Sequence, residues 1–360
     1  MRVLMVCPEL PSASSPGSMA PGARQIQSIA NLGIDVDIVD MRGIRFLKYL
    51  LNLTKIRRLA TYADIIHAHF GYCGLLAKYA QLGKRSQTPI VMSFMGDDLL
   101  GTPYNSAGDL TWFSVQMVRQ HKRLARHVSQ VIVKSAEMAS ILDPLACTVI
   151  SNGVDVHAFQ PQDSQLARKQ LGLDPQCPYI LFPGNPDNPR KGHSLATEAV
   201  RLANHRLDIP AQLIPLWGIQ PDQVVLYMNA CNAMLMTSLV EGSPNVVKEA
   251  MACNQPVVGV PVGDVHNLLD GVTGSFRVQR DASQIADALV KIIERNCKSD
   301  GRHALINRRL DLESVALSIV DIYERVLDSR GALATRPPRS WNSEIGPQQD
   351  TRFTRRSQLN

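Results

Sequence analysis

The chain has no Cys-x-x-Cys pair, no group of His and Cys at zinc-ligand spacing, and no apolar run long enough to span a bilayer. These absences argue against a structural metal and against a membrane-spanning helix. Aromatic residues make up only 5% and do not interleave with the basic ones, which disfavours nucleic-acid binding. No Gly-x-Gly-x-x-Gly turn follows the first apolar run, which disfavours a nicotinamide-dependent dehydrogenase. No internal repeat is visible, and the opening Met1–Cys7 run leads straight into Pro8 and Pro11, so it reads as a first strand and not a signal peptide.

What is present describes a globular protein of 360 residues, 45% hydrophobic and 19% charged. That length exceeds what one hydrophobic core usually supports, so two domains are expected. The seven cysteines, at 7, 73, 147, 177, 231, 253 and 297, are dispersed and mostly in apolar segments. Buried thiols in a reducing cytoplasm explain them. The formal charge of +6 suits anionic phosphates, anionic lipid or solubility.

Apolar runs of strand length alternate with amphipathic stretches from the start. Val3–Val6, Val36–Val39, Ile65–His69, Ile90–Phe94, Val131–Val133 and Thr148–Ile150 form a first series. Tyr179–Phe182, Gln212–Pro215, Ala233–Thr237, Pro256–Val260 and Ser275–Val278 form a second. This alternation predicts α/β architecture, with two doubly wound parallel sheets in two Rossmann-like domains. The expected divisions are 1–155, 156–311, a packed helix in 312–330 and a disordered tail over 331–360. The turn-rich Ser151–Asp155 is the expected hinge, before a helix within Asp163–Gly172. Leu312–Leu327 carries apolar residues at helical spacing.

The most informative stretch is Glu241–Ala252, which sets two carboxylates around a helix start. Ser243 is expected as N-cap and Pro244 as the first helical residue. The positive end of that helix, beyond a strand's carboxyl end, suits a diphosphate, with Gly242, Ser243, Asn245 and Val246 close to it. Glu249, over a turn into the helix, is placed to accept ribose hydroxyls, while Glu241 faces a sugar. A second turn, Gly184–Gly192, brings Asn185, Arg190 and Lys191 after another strand. The cations there would neutralise a departing diphosphate.

These features resemble a retaining glycosyltransferase of the GT-B fold, in glycosyltransferase family 4. The resemblance rests on the Glu-x7-Glu pair at Glu241 and Glu249, the Arg190-Lys191-Gly192 turn, and the hinge Ile150-Ser151-Asn152-Gly153-Val154-Asp155 with Phe159 and Pro161. It extends to about residue 328. It implies two domains facing across a cleft, a last helix crossing back to the first domain, and a nucleoside diphosphate sugar as donor substrate without cofactor or metal. It also implies that Lys191 contacts the donor phosphates, Glu249 the ribose and Glu241 the transferred hexose. Acceptors are expected to be glycans or lipid-linked sugars, as in bacterial exopolysaccharide or cell-envelope polysaccharide synthesis.

Many relatives carry Arg after the glycine matching Gly184 and His in the loop matching Phe94–Asp98; here Asn185 and Met95 stand there. Arg190 is the expected substitute for the lost guanidinium, because it can grip two oxygens at once. Met95, Gly96 and Asp98, with Gly17 in the Pro8–Gly22 loop, are the expected lining from the first domain. A catalytically weak or silent sugar-nucleotide binder and a GT-B sugar-nucleotide epimerase remain as alternatives. His67 and His69 share one face of a strand, either lining the cleft or as structural histidines. The segment 42–58 mixes six cations with bulky apolar residues and no acid, so it reads either as a membrane-surface helix or as a core-packed helix with a basic face. Arg119, Lys122, Arg123 and Arg126 offer a second basic face.

Overall fold

The computed structural model describes residues 1–12, 15, 17–43, 47–84, 87–329 and 331. The expected tail, apart from Gly331, lies outside the described residues, as do residues 44–46 of the basic segment. Two parallel sheets organise the chain. The first contains β1 (Arg2–Cys7), β2 (Asp35–Asp40), β3 (Ile65–His69), β4 (Ile90–Ser93), β5 (Gln130–Val133) and β6 (Thr148–Val149), in the order β2-β1-β3-β4-β5-β6. The second contains β7 (Tyr179–Phe182), β8 (Gln212–Pro215), β9 (Ala233–Met236), β10 (Val257–Gly259) and β11 (Phe276–Arg277), in the order β11-β10-β9-β7-β8.

The strand sequences explain why both sheets are covered on two faces. In β1, Val3, Met5 and Cys7 join one core cluster while Leu4 and Val6 join another on the opposite face. A strand apolar on both faces is stable only between helical layers, as parallel sheets require. The register is parallel throughout, with Met5 opposite Ile38 on one side and His67 on the other. In the second sheet, β7 and β9 are fully buried and belong to one continuous core.

The last helix, Leu312–Asp328, belongs to the first half by packing. Its Val315, Ala316, Ile319, Ile322 and Tyr323 share a cluster with Val3, Met5, Ile26 and Ile29. Asp311 caps it, its Oδ1 accepting the Ser314 N–H at 2.9 Å. The chain passes between the halves twice, and the two passages touch. Val154 N–H donates to the Leu310 carbonyl and Leu312 N–H to the Val154 carbonyl. Gly153 permits this, since a Cβ there would lie 2.8 Å from the Asp311 carbonyl oxygen and from Leu312 Cα. His67 fastens the helix further: Nδ1 lies 2.5 Å from the Tyr323 hydroxyl and Nε2 2.8 Å from Ser93 Oγ. Of the two readings of His67, the structural one holds.

Candidate active site

The loops after β4 and β9 meet where the two halves face each other. Gly96, at φ 144°, and Gly242 abut at backbone level: a Cβ on Gly242 would lie 3.0 Å from the Met95 carbonyl oxygen and 3.2 Å from Gly96 Cα. A side chain on Gly242 would press on the Met95 carbonyl, while at Gly96 the positive φ is what favours glycine. Asp98 was expected in the cleft, but it turns inward and is 3% exposed. Its carboxylate accepts N–H bonds from Gly71, Met95 and Gly96, all at 2.9 Å, and so braces the loop. The neighbouring Asp97 reaches across instead, with Oδ1 2.5 Å from an Arg190 guanidinium nitrogen. Burial pushes the Asp97 carboxyl upward, and Arg190 opposes that shift.

Pro189–Lys191 form a single 3-10 turn, in which Asn188 Oδ1 accepts the Arg190 N–H at 3.1 Å. Thr237, just past β9, donates its hydroxyl to the carbonyls of Lys191 and Gly192 at 3.0 and 3.1 Å, and Leu239 N–H bonds the Arg190 carbonyl. The cationic turn is therefore stitched to the end of the strand that leads to Glu241. Gly184, at φ 150°, leaves room for the Lys191 stem, whose Cγ would lie 3.1 Å from a Cβ there. Lys191 Nζ then lies 2.7 Å from Glu241 Oε1. Asn185 makes a local turn, its Oδ1 accepting the Asp187 N–H.

The expected cap of the following helix is corrected. The helix runs Asn245–Ala252, with Pro244 in the cap position and no side-chain cap bond. Ser243 has other partners: its hydroxyl donates to Asp264 Oδ2 at 2.6 Å and accepts from Lys248 Nζ at 3.0 Å. Lys248 is fully buried and also donates to the Asn152 carbonyl at 2.7 Å. Its demand for acceptors takes the hydroxyl a helix terminus would otherwise use. Burial lowers the Lys248 pKa to about 8, against the pull of Asp264 and Glu249. Asn245 and Val246 open the helix, where amide donors lack intrahelical partners. Glu249, 8% exposed, pairs with Arg24 from the first half at 2.7 Å. Gly17, in the turn before the helix that carries Arg24, has nothing within 4 Å of a Cβ position.

Comparison with known proteins places this geometry. The family model described as Glycosyltransferase Family 4 matches residues 2–158, and the one described as Glycosyl transferases group 1 matches residues 206–295. The chain belongs to the family 4 glycosyltransferases. The D-inositol 3-phosphate glycosyltransferase of Mycobacterium marinum is 26% identical over 334 residues, covering 79% of this chain and 70% of that protein. The putative teichuronic acid biosynthesis glycosyltransferase TuaC of Bacillus subtilis is 24% identical, covering 81% and 89%. Among solved structures, sucrose-phosphate synthase from Thermosynechococcus elongatus superposes with a TM-score of 0.72 at 17% identity, covering 91% of this chain and 100% of that one. Anabaena HepE, in complex with UDP and glucose, gives 0.68 at 18% identity, covering 90% and 100%. The architecture is GT-B.

In this glycosyltransferase, three ion pairs occupy the seam: Arg190–Asp97, Lys191–Glu241 and Arg24–Glu249. Arg24 and Asp97 were not among the expected site residues. Each pairs with a residue 225 or 93 positions away, so only the folded chain reveals them. Among the described residues no group of His, Cys, Asp or Glu could hold a metal ion.

Proposed function

We propose that this glycosyltransferase moves a hexosyl unit from a nucleoside diphosphate sugar to a hydroxyl of a glycan or lipid-linked acceptor, with retention at the anomeric carbon. The observation that carries this reading is the Lys191–Glu241 pair, 2.7 Å long, at the approach to the Asn245–Ala252 helix and beside Arg190–Asp97. A ligand bearing both a diphosphate and hydroxyls divides such pairs. Phosphate oxygens take Lys191, Arg190 and the helix amides; hydroxyls take Glu241 and Glu249. Gly184, Asn185, Gly242, Ser243 and Val246 shape the donor side, and Gly17, Met95 and Gly96 the opposite wall.

In the proposed step, the bond from the anomeric carbon to the diphosphate oxygen breaks while the acceptor oxygen bonds that carbon from the same face. The acceptor proton passes to the departing phosphate oxygen, so no protein base is needed. Lys191 and Arg190 balance the charge that develops, and positioning supplies much of the remaining acceleration. The neighbours crystallised with UDP and the relative named for teichuronic acid biosynthesis support a nucleotide sugar and a cell-envelope polysaccharide. Seven free thiols accord with cytoplasmic action.

Peripheral membrane contact belongs to the same reading. Leu50 and Leu51, on the helix Leu47–Leu59, are 63% and 60% exposed beside Lys48, Lys55 and Arg58, and Trp112 and Phe113 are exposed at the head of the helix bearing Arg119, Lys122 and Arg123. Such amphipathic, cationic surfaces suit anionic lipid. Among the described residues no helix is long and apolar enough to cross a membrane.

A thermal-shift screen of UDP-, GDP- and ADP-sugars, followed by analysis of the product anomer, tests the reading. One nucleotide sugar should stabilise the chain and yield an acceptor product of unchanged configuration. An altered sugar nucleotide formed without acceptor, or an inverted product, would contradict it.

A further inference from the structure

The helix Asn245–Ala252 carries a charge that its packing does not require. Val247, Ala250, Met251 and Ala252 are apolar and buried, yet Lys248 stands among them with no exposed surface. An ammonium taken wholly out of water costs stability even when it is hydrogen-bonded, and an apolar side chain of similar volume would fill the place without that cost. Its bonds show what the charge holds.

Three charged groups act on this ammonium: Asp264 and Glu249 attract it, and Lys134 repels it. It donates at 2.7 Å to the Asn152 carbonyl and at 3.0 Å to the Ser243 hydroxyl. Asn152 is 4% exposed and lies in the hinge, one residue before Gly153, where the two chain passages touch. Ser243 lies in the turn that leads into the helix, and its hydroxyl passes the chain of bonds on to Asp264 Oδ2. Gly263, next to Asp264, packs on the same turn, since a Cβ there would lie 2.6 Å from the Gly242 carbonyl oxygen and 2.7 Å from that of Glu241. The turn is therefore held at Gly242 by the first half and at Ser243 by the hinge. A hinge displacement that breaks the Asn152 bond frees the ammonium and loosens Ser243, two residues before the Asn245 amide.

We propose that Lys248 is a positioning residue for the transfer reaction: it locks the Gly242–Asn245 turn to the hinge, so that the helix amides keep the spacing a diphosphate needs. It acts through Ser243 and not by touching the donor, because the ammonium is fully enclosed. The proposal rests on the reading that this turn receives the donor diphosphate.

The test measures UDP, GDP and ADP on the full-length chain by calorimetry, each against its own nucleoside by ligand-detected nuclear magnetic resonance, which reads weak affinities. Wild type, Lys248→Met, Ser243→Ala and the double variant are compared on protein whose circular dichroism matches wild type. Lys248→Met should cut the preference for diphosphate over nucleoside about tenfold, the size expected when a bond to a charged group is lost, and leave the nucleoside affinity within about twofold. The double variant should bind the diphosphate no more than about twofold more weakly than Lys248→Met alone, since both changes cut the same link to the hinge. Lys248→Gln replaces the methionine variant if that one does not fold. Equal losses for diphosphate and nucleoside would make Lys248 a general support of the fold and overturn the proposal, as would an unchanged preference or fully additive losses. If Lys191→Ala loses the preference while Lys248→Met keeps it, this proposal alone falls; if the wild type has no such preference, the donor reading falls with it.

Discussion

Replacing Lys191 by alanine removes a cation without touching the core, because its side chain is 18% exposed and its partner Glu241 12%. Two magnitudes separate in this variant. The stability cost is that of a partly screened ion pair, about 1 kcal/mol or less, since the freed Glu241 can turn toward the water of the cleft. The catalytic cost is larger. Taking away one preorganised group that meets developing charge costs about 100- to 1000-fold in kcat, roughly 3–4 kcal/mol. The assay measures kcat and KM for the donor found by the nucleotide-sugar screen, with urea unfolding on the same preparation. The expected result is a kcat fall of at least about 100-fold with a nearly unchanged unfolding midpoint. A kcat within a few-fold of wild type, in a folded variant, would refute the reasoning that the lysine serves the departing diphosphate.

Other outcomes follow from named contacts. Gly153→Ala forces a methyl against the Asp311 carbonyl and should cost about 1–3 kcal/mol in urea unfolding, because both chain passages are fixed there. Glu249→Ala should weaken UDP binding about tenfold by calorimetry, whereas Arg24→Ala should not weaken it, since that arginine competes with the ribose for the same carboxylate. Stability should also rise with pH between about 7 and 8, below the range where the buried thiols, their pKa raised by burial, oppose the rise. Burial lowers the Lys134 pKa from 10.5 to about 7, so above 7 the folded chain releases a proton the unfolded chain keeps. Below 7 the ammonium is charged in both states and its burial cost stays constant. Its slope is at most about 1.4 kcal/mol per pH unit. Lys134→Met should flatten the pH 7–8 part of the curve in phosphate-free urea titrations, and an unchanged slope would contradict the burial of that charge.

The sheets were legible in the sequence for a physical reason. Parallel strands covered on both faces need uninterrupted apolar runs, and Tyr179–Phe182 and Gln212–Pro215 coincide with β7 and β8 end to end. The last helix was equally plain, because seven of its residues repeat at the spacing that buries one face. The misread helix start at Ser243 has a local cause with a distant partner. The cap signal was genuine chemistry, but Lys248 inside the helix and Asp264, 21 residues on, claimed the hydroxyl first.

Within the candidate site, sequence order named residues whose neighbours it could not name. Asp97 and Asp98 are adjacent, and only the turn of a short helix decides that one braces a loop while the other meets Arg190. Arg24 carried no motif at all. A lysine after a strand, as at 134, looks like an ordinary exposed end, yet it is 1% exposed in the folded chain.

The central claim is that a diphosphate is held between Lys191 and the first turn of the helix Asn245–Ala252. A crystal structure of the chain with a nucleoside diphosphate tests this most directly. The account predicts phosphate oxygens within hydrogen-bond reach of Lys191 Nζ and the Asn245–Val246 amides, with the Lys191–Glu241 pair opened. Nucleotide bound elsewhere, with that pair still closed, would contradict it.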